Sequence, residues 1–278
     1  MNEFYVHNID PFLIRFPFGF SLGPIEGIPW YGTMYGLGFF VGFWLLKKLR
    51  REGFVPFKDD KQIEDFFAYI VIGVLLGGRA GHIFFYQIDI ILDNPLRFFA
   101  VWEGGMASHG GIIGVVLAIY FYCKKHNIPF YNIGDGIALI TPPALGFGRI
   151  ANFINGEMPG TQTDVSWAVI FPKFDAALGL QNIPRHPSQI YQALGEGLFL
   201  YLLLWFVMPR NKFQRGFISS MFVIFYGLQR IVTETFREGS DTLSSMFTFL
   251  TQGQLLSIFM ILIGALMLYN SQKKHAEV

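Results

Sequence analysis

Cysteine is nearly absent from this chain. Its one occurrence, Cys123, excludes an internal disulfide and any cysteine-rich metal site. Charge is scarce as well: 15% of the 278 residues are charged, against about 25% in a typical soluble domain. The 21 Lys and Arg nearly cancel the 20 Asp and Glu, for a net charge of +1. No basic stripe is present, which excludes a nucleic-acid partner held through its phosphates. No His/Asp/Glu grouping has metal-ligand spacing, and neither a phosphate-binding glycine loop nor a G-x-S-x-G elbow occurs. Neither a metal nor a cofactor is expected. The first 29 residues scatter Glu3, Asp10, Arg15 and Glu26 among apolar residues. They lack the basic start and long apolar core of a cleavable signal peptide, so none is expected. Internal repeats and low-complexity tracts are missing too, which weighs against an inverted-repeat transporter.

Apolar residues fill the space that charge leaves. Hydrophobic residues make up 52% of the chain and aromatics 18%, with 32 Phe and a mean hydropathy of +0.41. The expected fold is an all-α polytopic membrane protein, residues 1–278 forming one integral membrane domain. About seven transmembrane helices are expected, at 30–46, 64–86, 107–123, 132–154, 189–208, 216–236 and 253–270. Loops on alternate sides of these spans carry 13 and 5 Lys/Arg, and Arg79, Arg149 and Arg230 fall inside spans. The positive-inside bias places the N-terminus outside and the C-terminus in the cytoplasm, as an odd number of crossings requires. Residues 87–106 mix aromatics with Pro and charge and read as an interfacial arm. Residues 155–188 read as a small extracytoplasmic cap with a short strand in "SWAVIFP".

Polar groups at membrane depth cost several kcal/mol unless paired, and they mark sites. On this topology they gather in the outer layer. Arg149, Asn152, Asn155 and Glu157 end span four in "GFGRIANFINGEMPG", His109 starts span three in "SHGG", Tyr31 opens span one, and Arg237 ends span six. Each has a plain alternative. Arg149 snorkels to lipid phosphates, His109 starts a helix beside a tight glycine contact, and Tyr31 with Trp30 joins an aromatic belt. Arg230 and Glu234 form an intrahelical pair, Arg79 and His82 are buried structural partners, and Asp135 is a helix-start residue. Taken together, two arginines near an outer surface suit a phosphodiester, because guanidinium pairs with phosphate bidentately and keeps its proton. Asparagines add donors, Gly148, Gly156 and Gly160 permit close backbone approach, and a histidine or tyrosine handles a proton. The residues thus suggest an enzyme or binder acting on a phospholipid head group.

"GRIANFINGEMPG" closely resembles the signature of the bacterial phosphatidylglycerol–prolipoprotein diacylglyceryl transferases. "IPWYGTMYGLGF", "GGMASHGGIIG", "HPSQIYQ" and "VTETFREGSD" resemble further blocks of that family, in its order. The resemblance covers nearly the whole chain. It implies transfer of the diacylglyceryl group from phosphatidylglycerol to the lipobox cysteine thiol of a prolipoprotein, with a thioether formed and glycerol 1-phosphate released. That is the first step of bacterial lipoprotein maturation, at the inner membrane. By this resemblance Arg149, Arg237, Asn152, Glu157 and Gly160 carry over as site residues, together with Tyr31 and with His109 as candidate base. Glu157 reads as an orienting group before a base. One departure stands out: many relatives carry a glutamate where this chain has Gln192, and Glu196 follows one turn later. Cys123 falls at the inner end of span three, so the reacting thiol belongs to the protein substrate. The competing reading is an anionic-phospholipid transporter or scramblase, which requires polar lining through the full membrane thickness. A purely structural membrane protein would leave the arginine cluster unexplained.

Overall fold

The computed structural model describes residues 4–16, 26–89, 94–100, 105–208, 214–238 and 251–276. Helices dominate: α1 (Trp30–Arg51), α2 (Asp60–Tyr86), α3 (Ser108–His126), α4 (Phe130–Asn155), a short α5 (Pro172–Ala177), α6 (Ser188–Val207), α7 (Phe217–Glu234) and α8 (Gln252–Ala276). Each of the seven expected apolar segments lies on one of the long helices. Among the described residues α2, α4, α6 and the Gly253–Lys273 part of α8 are long and apolar enough to cross a membrane. The helices overrun the apolar segments where polar ends cap them. Asp59, for example, accepts a hydrogen bond from Gln62 N at 2.8 Å and starts α2 earlier than hydropathy indicates. The chain divides into two compact units, residues 1–44 with 137–278 and residues 45–136.

In the second unit, α2 and α3 pack through glycine. Gly73, Gly77 and Gly81 of α2 face Gly110 and Gly114 of α3, so that a Cβ on any of them meets backbone of the opposite helix. Within lipid there is no hydrophobic drive between helices, and small residues bring backbones close enough for dispersion to act. Beyond this seam Phe57, Phe66 and Tyr122 form an aromatic core, with the Phe66 and Tyr122 centroids 5.0 Å apart and edge-to-face. The Tyr122 hydroxyl donates to Gln62 O at 3.0 Å. Arg79, expected as the partner of His82, instead donates to the carbonyls of Arg97 (2.8 Å) and Phe98 (3.3 Å) and holds the short 3₁₀ turn Pro95–Phe99. That turn lies within the expected interfacial arm; residues 90–93 and 101–104 of the arm fall outside the described residues. Asp135, expected at a helix start, lies in the second turn of α4 and is buried.

In the first unit the same device recurs. Gly146 of α4 lies against Gly197 of α6, and Gly227 and Gly264 let α7 and α8 approach through Ser257 O and Ser220 O. Pro142 and Pro143 sit inside α4 and remove two backbone donors, while Thr141 donates to Ile137 O at 2.7 Å. The helical expectation needs one amendment, because among the described residues five short strands accompany the helices. β1 (Tyr5–Val6) runs parallel to β4 (Val169–Ile170), which pairs antiparallel with β5 (Pro184–Arg185). β2 (Phe12–Arg15) pairs antiparallel with β3 (Gly27–Pro29). Strands of two to four residues carry too little alternation to be seen in a sequence, except β4, which falls in the apolar "SWAVIFP".

The glycine seam supplies a test. Gly114→Leu places a branched side chain against Gly73 and Gly77 backbone, and overpacking of this kind costs about 1–3 kcal/mol. Thermal unfolding of the purified protein in detergent should show a lowered midpoint. An unchanged midpoint would mean that the close approach of α2 and α3 is dispensable.

Candidate functional site

The site grows from the C-terminal end of α4. Gly156, at φ +70°, reverses the chain after Asn155, and Gly156 N and Glu157 N bond back to Phe153 O and Asn152 O at 2.9 Å each. This turn brings the Glu157 carboxylate over the helix end. Oε2 accepts from Asn152 Nδ2 at 3.2 Å and Oε1 from Asn155 Nδ2 at 3.1 Å. The backbone of the turn is held in its own right: Gln189 Nε2 donates to Glu157 O at 2.6 Å and Ser188 Oγ to Met158 O at 3.0 Å.

Three remote segments converge beyond it. Gly160 N donates to His186 O at 2.8 Å, Thr161 N to Phe236 O at 2.9 Å, and Gly160 bridges Arg237 in antiparallel fashion. A Cβ at Gly160 would meet the carbonyls of Phe236 and His186. Its lack of a side chain therefore serves this backbone crossing. Arg237 is thereby carried beside the turn, with Nη2 3.7 Å from Met158 Sδ. A second brace reaches the same point: Arg185, 2% exposed, pairs with fully buried Asp175 at 2.9 Å and with Glu238 at 3.1 Å. Its guanidinium also stacks on Phe174 at 5.1 Å.

A line of alternating charge runs through the unit. Arg149 donates from Nε and Nη2 to Glu196 Oε2 at 3.2 and 3.1 Å. Arg230 Nη1 lies 3.6 Å from Glu196 Oε1, Arg230 Nη2 3.1 Å from Glu234 Oε2, and Arg237 Nη1 3.5 Å from the same Glu234 oxygen. Tyr226 of α7 lies alongside the Arg149–Glu196 pair. Several of the atoms facing one another are buried without a hydrogen-bond partner: Glu196 Oε1, Arg230 Nη1, Glu234 Oε2 and Arg237 Nε. Glu196 Oε1, Arg230 Nη1 and Glu234 Oε2 face one another as ion pairs without hydrogen-bond alignment. The Tyr31 ring lies 5.0 Å from that of Tyr35, their hydroxyls are 3.5 Å apart, and Tyr35 is within electrostatic reach of Arg149 and Glu157.

The family model "Prolipoprotein diacylglyceryl transferase" matches residues 17–270. The chain belongs to the prolipoprotein diacylglyceryl transferase family. Relatives named phosphatidylglycerol–prolipoprotein diacylglyceryl transferase include a Legionella pneumophila protein, 41% identical over 249 residues, covering 89% of this chain and 94% of its own. One from Aeromonas hydrophila is 42% identical over 258 residues, covering 93% and 91%. One from Stenotrophomonas maltophilia is 39% identical over 285 residues, covering 97% and 94%.

The first unit therefore brings together Arg149, Asn152, Asn155, Glu157, Gly160 and Arg237, with Tyr31 linked through Tyr35. His109 lies in the second unit, exposed in the first turn of α3. Cys123 is buried near the other end of that helix. Among the described residues no group of three or more His, Cys, Asp or Glu side chains is arranged to hold a metal. Glu196 joins the arginine line, and Arg230 and Glu234, expected as an isolated intrahelical pair, belong to that line too. The signal for Glu196 was present: a single carboxylate inside the apolar run "ALGEGLFLYLLLW". Tyr226 gave none, being one of many aromatics in spans.

His7, outside every motif of the sequence, packs against the turn as well. It is buried, stacked on Phe171 at 5.3 Å and edge-to-face with Phe153 at 5.4 Å, and it lies against Gly156 of the turn. His7 N donates to Ile170 O at 2.8 Å. Burial pushes its imidazole below the ordinary histidine value, about 6.5. The folded protein thus takes up fewer protons here than the unfolded chain. Stability is full above that ordinary value and falls as pH drops through it. Unfolding midpoints measured from pH 7.5 to 5 should decline in the wild-type protein and decline less in His7→Phe. Parallel profiles would remove His7 from the pH response.

Proposed function

We propose that the chain transfers the diacylglyceryl group of phosphatidylglycerol to a prolipoprotein cysteine, from the extracytoplasmic side of a bacterial inner membrane that it crosses seven times. One observation carries this beyond family membership. The line from Arg149 through Glu196, Arg230 and Glu234 to Arg237 holds three guanidiniums against two carboxylates. Its single positive excess matches the charge of one phosphodiester. Residues 87–106 serve as the interfacial arm and 155–188 as the cap over this line. The shared name of the relatives carries an enzymatic reading, and nothing comparable favours a transporter or scramblase.

The reaction is an alkyl transfer. The substrate sulfur forms a bond to the glyceryl carbon, the bond from that carbon to the phosphate oxygen breaks, and its electron pair stays on the oxygen. The lipobox thiol becomes a thioether and glycerol 1-phosphate leaves with a further negative charge. Fixed cations in a site of low dielectric stabilise that developing charge without reorganising. Arg149 and Arg230 flank one carboxylate and supply the clamp, and Arg237 extends it. Asn152 and Asn155, held by Glu157, add donors for the head group, and the Gly160 crossing keeps the loop in place. The thiol proton goes to a base, for which His109 is the candidate by the resemblance of "GGMASHGGIIG" to the family block; Tyr31 contacts the head group.

Purified protein, labelled phosphatidylglycerol and a lipobox peptide should give a thioether-linked peptide and glycerol phosphate, and a serine-for-cysteine peptide should give neither. Absence of cysteine-dependent product from the wild-type protein would refute the reading. Arg149→Ala and Arg230→Ala should each lower kcat by about 100-fold or more, while Cys123→Ser retains activity.

A further inference from the structure

We infer that Glu196 is the positioning residue of the arginine clamp: its buried carboxylate sets the plane and separation at which Arg149 and Arg230 meet the departing phosphate. This rests on the function proposed above and extends it to a side chain outside the signature motif. Glu196 itself has no exposure, whereas the side chains of Arg149 and Arg230 are 18% and 16% exposed. The cations reach open space and the carboxylate does not, so Glu196 acts through them.

Two N–H groups of Arg149 converge on one oxygen of Glu196. A single contact would let the guanidinium swivel, while two fix its plane. The other oxygen faces Arg230, so one carboxylate screens the repulsion between two like charges and keeps them apart at a set distance. Buried ion pairs add little net stability, because desolvation offsets their attraction. Orientation explains the carboxylate better than stability does.

The backbone around Glu196 carries the same assignment independently. Residues Ala193–Phe199 are wound as π-helix, a rare form that recurs at functional sites. Gly197 packs its backbone on Gly146 of α4, the helix of Arg149. Gly195 makes room for Gln229 of α7, which immediately precedes Arg230. The neighbours on either side of Glu196 thus fasten its turn to the two helices whose arginines it holds.

A double-mutant cycle separates positioning from a structural role. Glu196→Gln, which keeps shape but loses charge, should lower kcat at least about 30-fold while KM for phosphatidylglycerol moves less than about threefold. Combined with Arg149→Lys, it should be no more than about threefold slower than Arg149→Lys alone, because both changes disable one device. Glu196→Asp should recover part of the lost kcat. Additive effects, a rise in KM with kcat intact, or wild-type kcat in Glu196→Gln would each overturn the inference while leaving wild-type catalysis standing. Loss of product in the wild-type protein would instead strike the proposed function. Should Glu196→Gln fail to insert, Glu196→Asp takes its place in the cycle; failure of both makes Glu196 a folding residue and overturns the positioning role.

Discussion

A carboxylate sealed from solvent between two guanidiniums is a demanding thing to build inside an apolar protein, and much of the first unit follows from building it. A buried charge is costly unless it is paired, and here Glu196 lies between Arg149 and Arg230, with Arg230 also paired to Glu234. The three charges come from three helices, α4, α6 and α7, so those helices must approach closely and at fixed register. Gly146, Gly195 and Gly197 supply the closeness, and the π-helical turn supplies the register. Breaking a buried pair by removing one partner costs about 3–5 kcal/mol, enough to make the helical contacts and the charge line depend on one another.

The loops hold their side of the arrangement with backbone rather than side chains. Residues around Gly160, His186 and Phe236 cross through amide–carbonyl bonds, and the Asp175–Arg185–Glu238 brace backs them with charge. Loop segments that would otherwise be adjustable are in this way held as firmly as an element of regular structure. Arg237 inherits that rigidity because it sits between the bridge to Gly160 and the brace at Glu238.

Much of this was legible in the chain, and the limits have physical causes. The long helices could be read from apolar runs, since a helix within lipid must satisfy its own backbone. Arg149, Asn152, Asn155 and Glu157 stood out because polar residues ending an apolar run are unusual; the turn at Gly156 brings Glu157 onto Asn152 and Asn155, while Arg149 pairs with Glu196 instead. Glu196 was visible as an oddity without its partners, because a contact across 47 residues leaves no mark in local spacing. Arg230 was hidden by its neighbour: an i, i+4 pairing with Glu234 is a sufficient local explanation, and only the third dimension adds Glu196. Apart from β4, signalled by "SWAVIFP", the strands were too short to show a period, and His7 lay in a segment with no pattern.

The bridge between Gly160 and Arg237 has a consequence for how the protein comes into being. Chains emerge N-terminus first, and elements pack as their partners appear. Met158 and Arg237 are separated by 79 positions, so the turn after α4 waits through the making of β4, β5, α6 and α7 before its last cation arrives. A nascent or truncated chain therefore inserts most of its helices with the charge line unfinished. The charge line is complete only after α7 and the residues that follow it have been made.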